Sequence, residues 1–314
     1  DLSNLPWETP QLGQELIRLC QNAGHRLHIM PVGSDIDTRQ DLIDAYTVLR
    51  ADPRPARIAL CNWIARAGLL TASPSTGTEI SVVVPVFNDS AALRVLLARL
   101  AAMQPGISEI VVADGSEDSG CEELCRSYGA VYLRTEANRG KQLRLGAAAA
   151  TKDILWFLHA DSNPAANAAQ IIREHLQQGF ASGFFRFQFD GPQTWYKSWL
   201  QVAINFRARI GTPYGDQGLF ASKDLYFAAG GHAASPLFEE VTLVKNLRAS
   251  GGCTPVTASI RVSPRRWERD GWLRRSLHNR GLALAFALGV APERLARHYT
   301  KGKDSQKLMT SRNE

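Results

Sequence analysis

The chain has 314 residues, of which 45% are hydrophobic and 21% charged, with a net charge of +6 and an isoelectric point near 9.2. This is room for one large domain and a piece of another, and the composition of an ordinary globular protein excludes a disordered or fibrous chain. The basic excess fits an anionic ligand such as a nucleotide, or a membrane surface, but is too mild to imply nucleic-acid binding, and no RNA- or DNA-binding motif is present.

Residues 1–70 read as helix, strand, helix and a further helix. Thr9 caps the first helix, Pro10 fits its first position, and Leu12, Leu16 and Leu19 form its apolar face. Residues 26–32 alternate like a strand. Thr38 and Asp41 have capping-box spacing. So few elements cannot bury a core of their own, which makes them the end of a larger domain. Residues 71–78, rich in Ser, Thr, Pro and Gly, read as a linker.

The main domain is placed at 79–299. Residues 80–84 are an apolar, β-branched run that predicts a buried strand, followed by the turn Val86-Phe87-Asn88-Asp89. Asp89 or Ser90 opens a helix to about residue 103, with Leu93, Leu96, Leu97 and Leu100 on its core face. A second strand, 109–113, ends in the acidic run Asp114-Gly115-Ser116-Glu117-Asp118. A helix to residue 128 and a strand at 131–134 follow, and then Asn138-Arg139-Gly140-Lys141 opens another helix. The apolar run 154–158 predicts a strand buried on both faces, ending at His159-Ala160-Asp161-Ser162. The alternation argues a mostly parallel, Rossmann-like α/β sheet flanked by helices.

Ligands of such sheets bind at the carboxyl ends of the strands, which makes Asp161 a candidate metal ligand at a phosphate site. The plainer alternative is that Asp161 or Ser162 caps a helix starting near Pro164. No Gly-x-Gly-x-x-Gly or Walker-type loop is present. Acidic strand ends without such a loop suit phosphates held through a divalent cation, Mg²⁺ or Mn²⁺, shared with one or two carboxylates. The five cysteines have no zinc-ligand spacing, and Cys121 and Cys125 read as packing residues. Trp195, Tyr196, Trp199 and Phe206 lie at helical spacing and read as core or as a wall of the acceptor site. The stretch 272–299 mixes basic and apolar residues, and reads either as an interfacial helix or as one packed back on the domain. Residues 300–314 read as a disordered tail. No run reaches the roughly 18 apolar residues of a membrane span, and no secretory signal pattern opens the sequence.

Val82-Val83-Val84-Pro85-Val86-Phe87-Asn88, Asp114-Gly115-Ser116-x-Asp118 and His159-Ala160-Asp161, in this order, resemble family 2 glycosyltransferases of the GT-A, nucleotide-diphospho-sugar transferase fold. Pro213-Tyr214-Gly215-Asp216-Gln217-Gly218, Phe238-Glu239-Glu240 and Arg265-Arg266-Trp267 look like the radical-SAM/selenodomain-associated branch. In the N-terminal part, Pro6-Trp7-Glu8-Thr9-Pro10 and Asp35-Ile36-Asp37-Thr38-x-x-Asp41-Leu42 resemble the C-terminal end of a nucleotidyltransferase-like transferase of the same association.

The resemblance implies an inverting, metal-dependent transfer of a sugar from a nucleotide-sugar to an acceptor hydroxyl. Asp114 and Asp118 would contact the nucleoside, alongside Pro85 and Asn88. Asp161 would bind metal and donor diphosphate. His159 stands at the first position of the family's Asp-x-Asp motif, as a metal ligand or a shaping residue. Glu240 would be the general base, in place of the family's Asp, with Asp216 as fallback. Arg266 would neutralise the leaving diphosphate beside Trp267, although Ser263 replaces the family's Gln. Lys141 and Arg139 are further diphosphate contacts, and Gly215, Gln217 and Glu239 would meet the acceptor, a lipid or small glycan. The expected location is cytoplasmic or peripheral on the inner face of the plasma membrane. Two other readings are nucleotidyl transfer and a non-catalytic, membrane-peripheral module.

Overall fold

The computed structural model describes residues 78–297, apart from Pro105, Asp118, Ser119 and Gly251. The helix–strand–helix reading of 1–70, most of the linker and the tail lie outside the described residues, as does the donor role expected of Asp118.

The fold is built on an apolar run that can bury both faces. Strand β1 (Ile80–Val86) is buried at every position. It pairs in parallel with β2 (Glu109–Asp114) on one side and β4 (Ile154–Phe157) on the other, and β3 (Val131–Arg134) extends the β2 side. Successive side chains alternate between two cores, as the strand period of two demands. Val82, Val84 and Trp156 face one core, and Val83, Leu155 and Phe157 the other.

Helices cover both faces. On the first lies α1 (Ser90–Ala101), capped by the Asp89 side chain. Its Leu93, Leu96, Leu97 and Leu100 are fully buried, each contributing about 1.5–3 kcal/mol of burial energy. Beside it, α2 (Gly120–Ser127) buries Cys121 and Cys125, in keeping with a packing role. On the second face lies α3 (Arg139–Ala149), capped by Asn138.

Beyond β4 the sheet continues through β7 (Phe220–Ser222), β6 (Ser182–Phe189), β8 (Thr254–Val262) and the edge strand β5 (Ser162–Pro164), in the order β3-β2-β1-β4-β7-β6-β8-β5. β7 runs antiparallel to both its neighbours. The chain leaves β1 toward β2 and β3 and returns as β4 on the other flank. The crevice between the loops after β1 and β4 is therefore a topological switch point, where open α/β sheets bind ligands.

Two expectations need correction. No helix starts at Pro164: Ser162–Pro164 pairs antiparallel with β8, and the next helix, α4 (Ala168–Gln177), starts four residues later. Pro disfavours the α conformation in the residue before it and is tolerated on an edge strand, where its missing N–H costs nothing. The aromatics of α5 (Trp195–Ile210) are not core, because Trp195 is 83% exposed and Trp199 65%. That helix instead buries Lys197, Leu200 and Ala208. Periodicity shows that one face of a helix is apolar, not what the face meets. The remaining helices are α6 (Lys223–Ala228), α7 (Glu240–Ala249), α8 (Arg265–Asp270) and α9 (Trp272–Ala287). Among the described residues no helix is long and apolar enough to cross a membrane.

Candidate active site

Two hollows lie at the carboxyl ends of the central strands. The smaller, of about 140 Å³, is lined by Asn88, Asp89, Ser90, Ser116 and Cys121. Asn88 follows β1 in the left-handed region, at φ 51°, a conformation that asparagine tolerates better than most residues. Its N–H donates to Ser116 Oγ at 2.8 Å. The Ser116 hydroxyl in turn donates to Asp114 Oδ1, which also accepts the Ser116 N–H at 2.9 Å. Tyr132 donates to Oδ2 at 3.2 Å. Asp114 is therefore fully buried with both oxygens engaged inside the protein. It ties the loops after β1 and β2 together, and Ser116 and Asn88 form the surface above it. Pro85 is likewise buried within β1 and positions Asn88 rather than lining the hollow.

The larger cavity, about 430 Å³, is lined by His159, Asp161, Asp216, Glu240 and Arg266 among others. The turn after β4 supplies His159 and Asp161. A 3₁₀ turn, Gly215–Gln217, supplies Asp216, and the start of α7 supplies Glu240. These three segments are pinned together. Glu240 Oε1 accepts the Gly215 N–H at 2.6 Å. A Cβ on Gly215 would lie 2.4 Å from His159 Nε2 and 2.9 Å from Glu240 Oε1, so only glycine fits. Phe238, at φ 59°, enters α7 in a conformation costing about 1–3 kcal/mol for a non-glycine residue. Glu240, two residues on, is thereby held at the cavity.

The electrostatics separate the acids by role. Burial, then the neighbouring Glu239, pushes Glu240 up to about 8, against the pull of Arg139. Its second oxygen, Oε2, is shielded from solvent and without a hydrogen-bond partner, as is Asp216 Oδ1. Burial raises Asp216 above the usual carboxylate range, Arg207 and Arg139 lower it, and Asp161 adds to the rise. Burial, with Arg139 and Arg266 nearby, pushes His159 down to about 3, so its ring is neutral at any working pH. His159 Nε2 is shut off from solvent and unpartnered against Gly215, an orientation that shapes the turn rather than offering that nitrogen to a ligand.

Other expected site residues fall elsewhere. Lys141 pairs with Glu136 on the surface; Arg139, two residues earlier, lines the cavity instead. Glu239 is fully buried and does not line the cavity, because Arg139 grips both its oxygens, with Nη2 to Oε2 at 2.9 Å. Gln217 is also fully buried, donating toward the Phe185 carbonyl at 3.3 Å. Trp267 lines the cavity as part of an aromatic wall, its ring 5.0 Å from that of Phe189. Missed by the sequence reading were Arg207, whose guanidinium lies 4.0 Å over the Tyr214 ring, and Gln142, which donates to the carbonyls of Val86 and Ala113 at 2.7 and 2.8 Å. The cavity gathers five arginines, Arg139, Arg207, Arg266, Arg275 and Arg280, against three carboxylates, a balance that suits an anionic ligand.

Acids and arginines converge at the carboxyl end of β4. Residues 81–230 match the model for glycosyl transferase family 2. The match spans just under half of the chain and is a likeness to that family. A mannosyltransferase from Pyrobaculum calidifontis, solved with GDP-Man and Mn²⁺, superposes with a TM-score of 0.50 at 15% identity, covering 81% of this chain and 76% of that one. Glucosyl-3-phosphoglycerate synthase from Mycobacterium tuberculosis, solved with Mn²⁺, UDP and phosphoglyceric acid, gives 0.47 at 19%, covering 69% and 81%. No curated protein sequence matches the chain. The fold is GT-A, with its mostly parallel sheet and flanking helices.

Proposed function

We propose that this chain is a glycosyltransferase that moves a sugar from a nucleoside diphosphate donor to an acceptor hydroxyl with inversion, and that it belongs to the radical-SAM/selenodomain-associated branch, whose motifs meet at one cavity. The observation that carries the reading is the Glu240 carboxylate. It is fixed by the Gly215 N–H through one oxygen, its other oxygen has no hydrogen-bond partner, and the residue lines the cavity with Asp161, Asp216 and Arg266.

The residues fit a divalent cation. Asp161 and the orphaned Asp216 Oδ1 lie on one wall, and no cluster of three or more metal-binding side chains exists among the described residues. A hard cation shared between one or two carboxylates and a diphosphate needs no larger set. Bound there, it would offset charge on the leaving diphosphate. Asn88 and Ser116 receive the nucleoside, and Arg266 and Arg139 face the diphosphate. Glu240 Oε2 accepts the acceptor's proton as the hydroxyl oxygen bonds to the anomeric carbon and the bond from that carbon to the diphosphate breaks.

A thermal-shift panel of UDP-, GDP- and dTDP-sugars and nucleoside triphosphates, with Mn²⁺ or chelator, tests this reading. Saturation at about 100 times Kd stabilises by about 2.7 kcal/mol. A cation-dependent shift with one sugar nucleotide, lost in Asp161→Ala, is expected. A shift with triphosphates alone would favour nucleotidyl transfer and sink the proposal.

A further inference from the structure

The cavity lies between two helices, and each carries an apolar stripe that the fold leaves uncovered. α5 turns Ala203 and Arg207 to the cavity, while Trp195, Trp199, Val202 and Phe206 are exposed. At about 100° per residue, these four share one stripe, roughly a quarter-turn from the cavity-lining one. α9 repeats the pattern. Ser276, Asn279 and Ala283 line the cavity, and Leu273, Leu277, Leu284 and Leu288, the last just past the helix end, form the exposed stripe beside them, Leu273 at 74%. The helices meet at their N-terminal ends, where the Tyr196 and Trp272 rings lie 5.0 Å apart and the Lys197 ammonium lies 5.6 Å from the Trp272 ring. Around each helix the succession from exposed stripe to cavity to core runs in opposite senses. Both helices line the cavity, and on each the exposed stripe lies beside the cavity-facing one.

Charge identifies what covers the stripes. Neither 16-residue helix contains an Asp or Glu. Together they expose Arg209, Arg274 and Arg280, while Lys197 and Arg275 are buried and Arg207 stacks on Tyr214. The nearby acids belong to α8 and are engaged: Asp270 pairs with Arg269 and Arg275, and Glu268 lies 4.0 Å from Lys197. Tryptophan, phenylalanine and leucine on one face, with cations and no anions beside them, match the chemistry of a helix lying in a lipid headgroup region. A partner protein or a second copy would meet the same apolar rows but would not require two acid-free helices.

We infer that α5 and α9 dock the enzyme on an anionic lipid surface with the cavity mouth facing the headgroups, so that the acceptor is membrane-borne. Only the last clause rests on the transferase reading; docking needs neither donor nor turnover.

Flotation of the full chain with phosphatidylcholine vesicles, with and without phosphatidylglycerol, tests the inference. Binding to the anionic vesicles is expected, weakened by added salt through screening, with a blue shift of tryptophan emission. Trp199→Ser on α5 and Leu277→Ser on α9 should each lower vesicle partition by about tenfold, with melting temperature unchanged because both positions are exposed. Failure of the wild-type chain to float, or flotation of both variants undiminished from the wild type, would overturn docking. So would sedimentation showing a dimer that both variants dissociate while vesicles stay unbound. A positive flotation with no donor-induced thermal shift would retain docking and discard the transferase.

Discussion

Glu240 sets two opposed demands on one side chain. A base must be ionised to accept a proton, yet burial holds Glu240 protonated up to about 8. Turnover should therefore rise as pH approaches 8, and Glu240→Gln should lower kcat by about 10²–10⁴-fold. Stability runs the other way. An unfolded glutamate releases its proton near 4.5, whereas folded Glu240 keeps it to about 8. Between these values the folded state binds more protons, so stability is full below 4.5 and declines as pH rises through 8. Melting temperatures measured against pH should show that decline in the wild type and lose it in Glu240→Gln. Gly215 is constrained by space instead. In Gly215→Ala the new methyl must push aside His159 or Glu240, at about 1–3 kcal/mol. Urea unfolding should report that loss, and kcat should fall further than the destabilisation explains, because the Gly215 N–H holds the proposed base, Glu240.

Helix α3 acts as a brace more than as a cover. Gln142 reaches from it to the last carbonyls of β1 and β2, fixing the ends from which the nucleoside-side loops depart. Gln142→Leu leaves the Ala113 carbonyl without this donor, while Val86 keeps the Gly115 N–H at 2.9 Å. A cost of about 1–3 kcal/mol is expected, together with a raised KM for donor, read from denaturation and steady-state kinetics. Elements of this kind were legible where hydrophobic period and local chemistry agreed. The Asp89 and Asn138 caps, the four-leucine face of α1 and the buried run of β4 all stand as the sequence implies. The edge strand at Ser162–Pro164 was not legible, because its partner in β8 lies about a hundred residues away in the chain and no local signal announces it. The stripe on α5 was visible as a stripe, but its exposure is a property of the assembled surface.

Over the whole molecule, Asp161 was legible as an acid at a strand end and Glu240 and Asp216 through the motifs of the family the sequence resembles, whereas the arginines largely were not. Arg207 sits mid-helix, and Glu239 reads like Glu240 until the fold sets Arg139 against one and Gly215 against the other. Chain order adds a consequence for how the enzyme is made. The nucleoside-side hollow draws only on residues 88–121, whereas the cavity wall is finished by α9, at 272–287. Domains form as their segments leave the ribosome. A nascent chain that has emerged only to residue 271 has every cavity carboxylate and Arg266, but not the wall that carries Arg275, Arg280 and one of the two apolar stripes. Translation thus delivers the cavity's carboxylates first and one of its lining helices last.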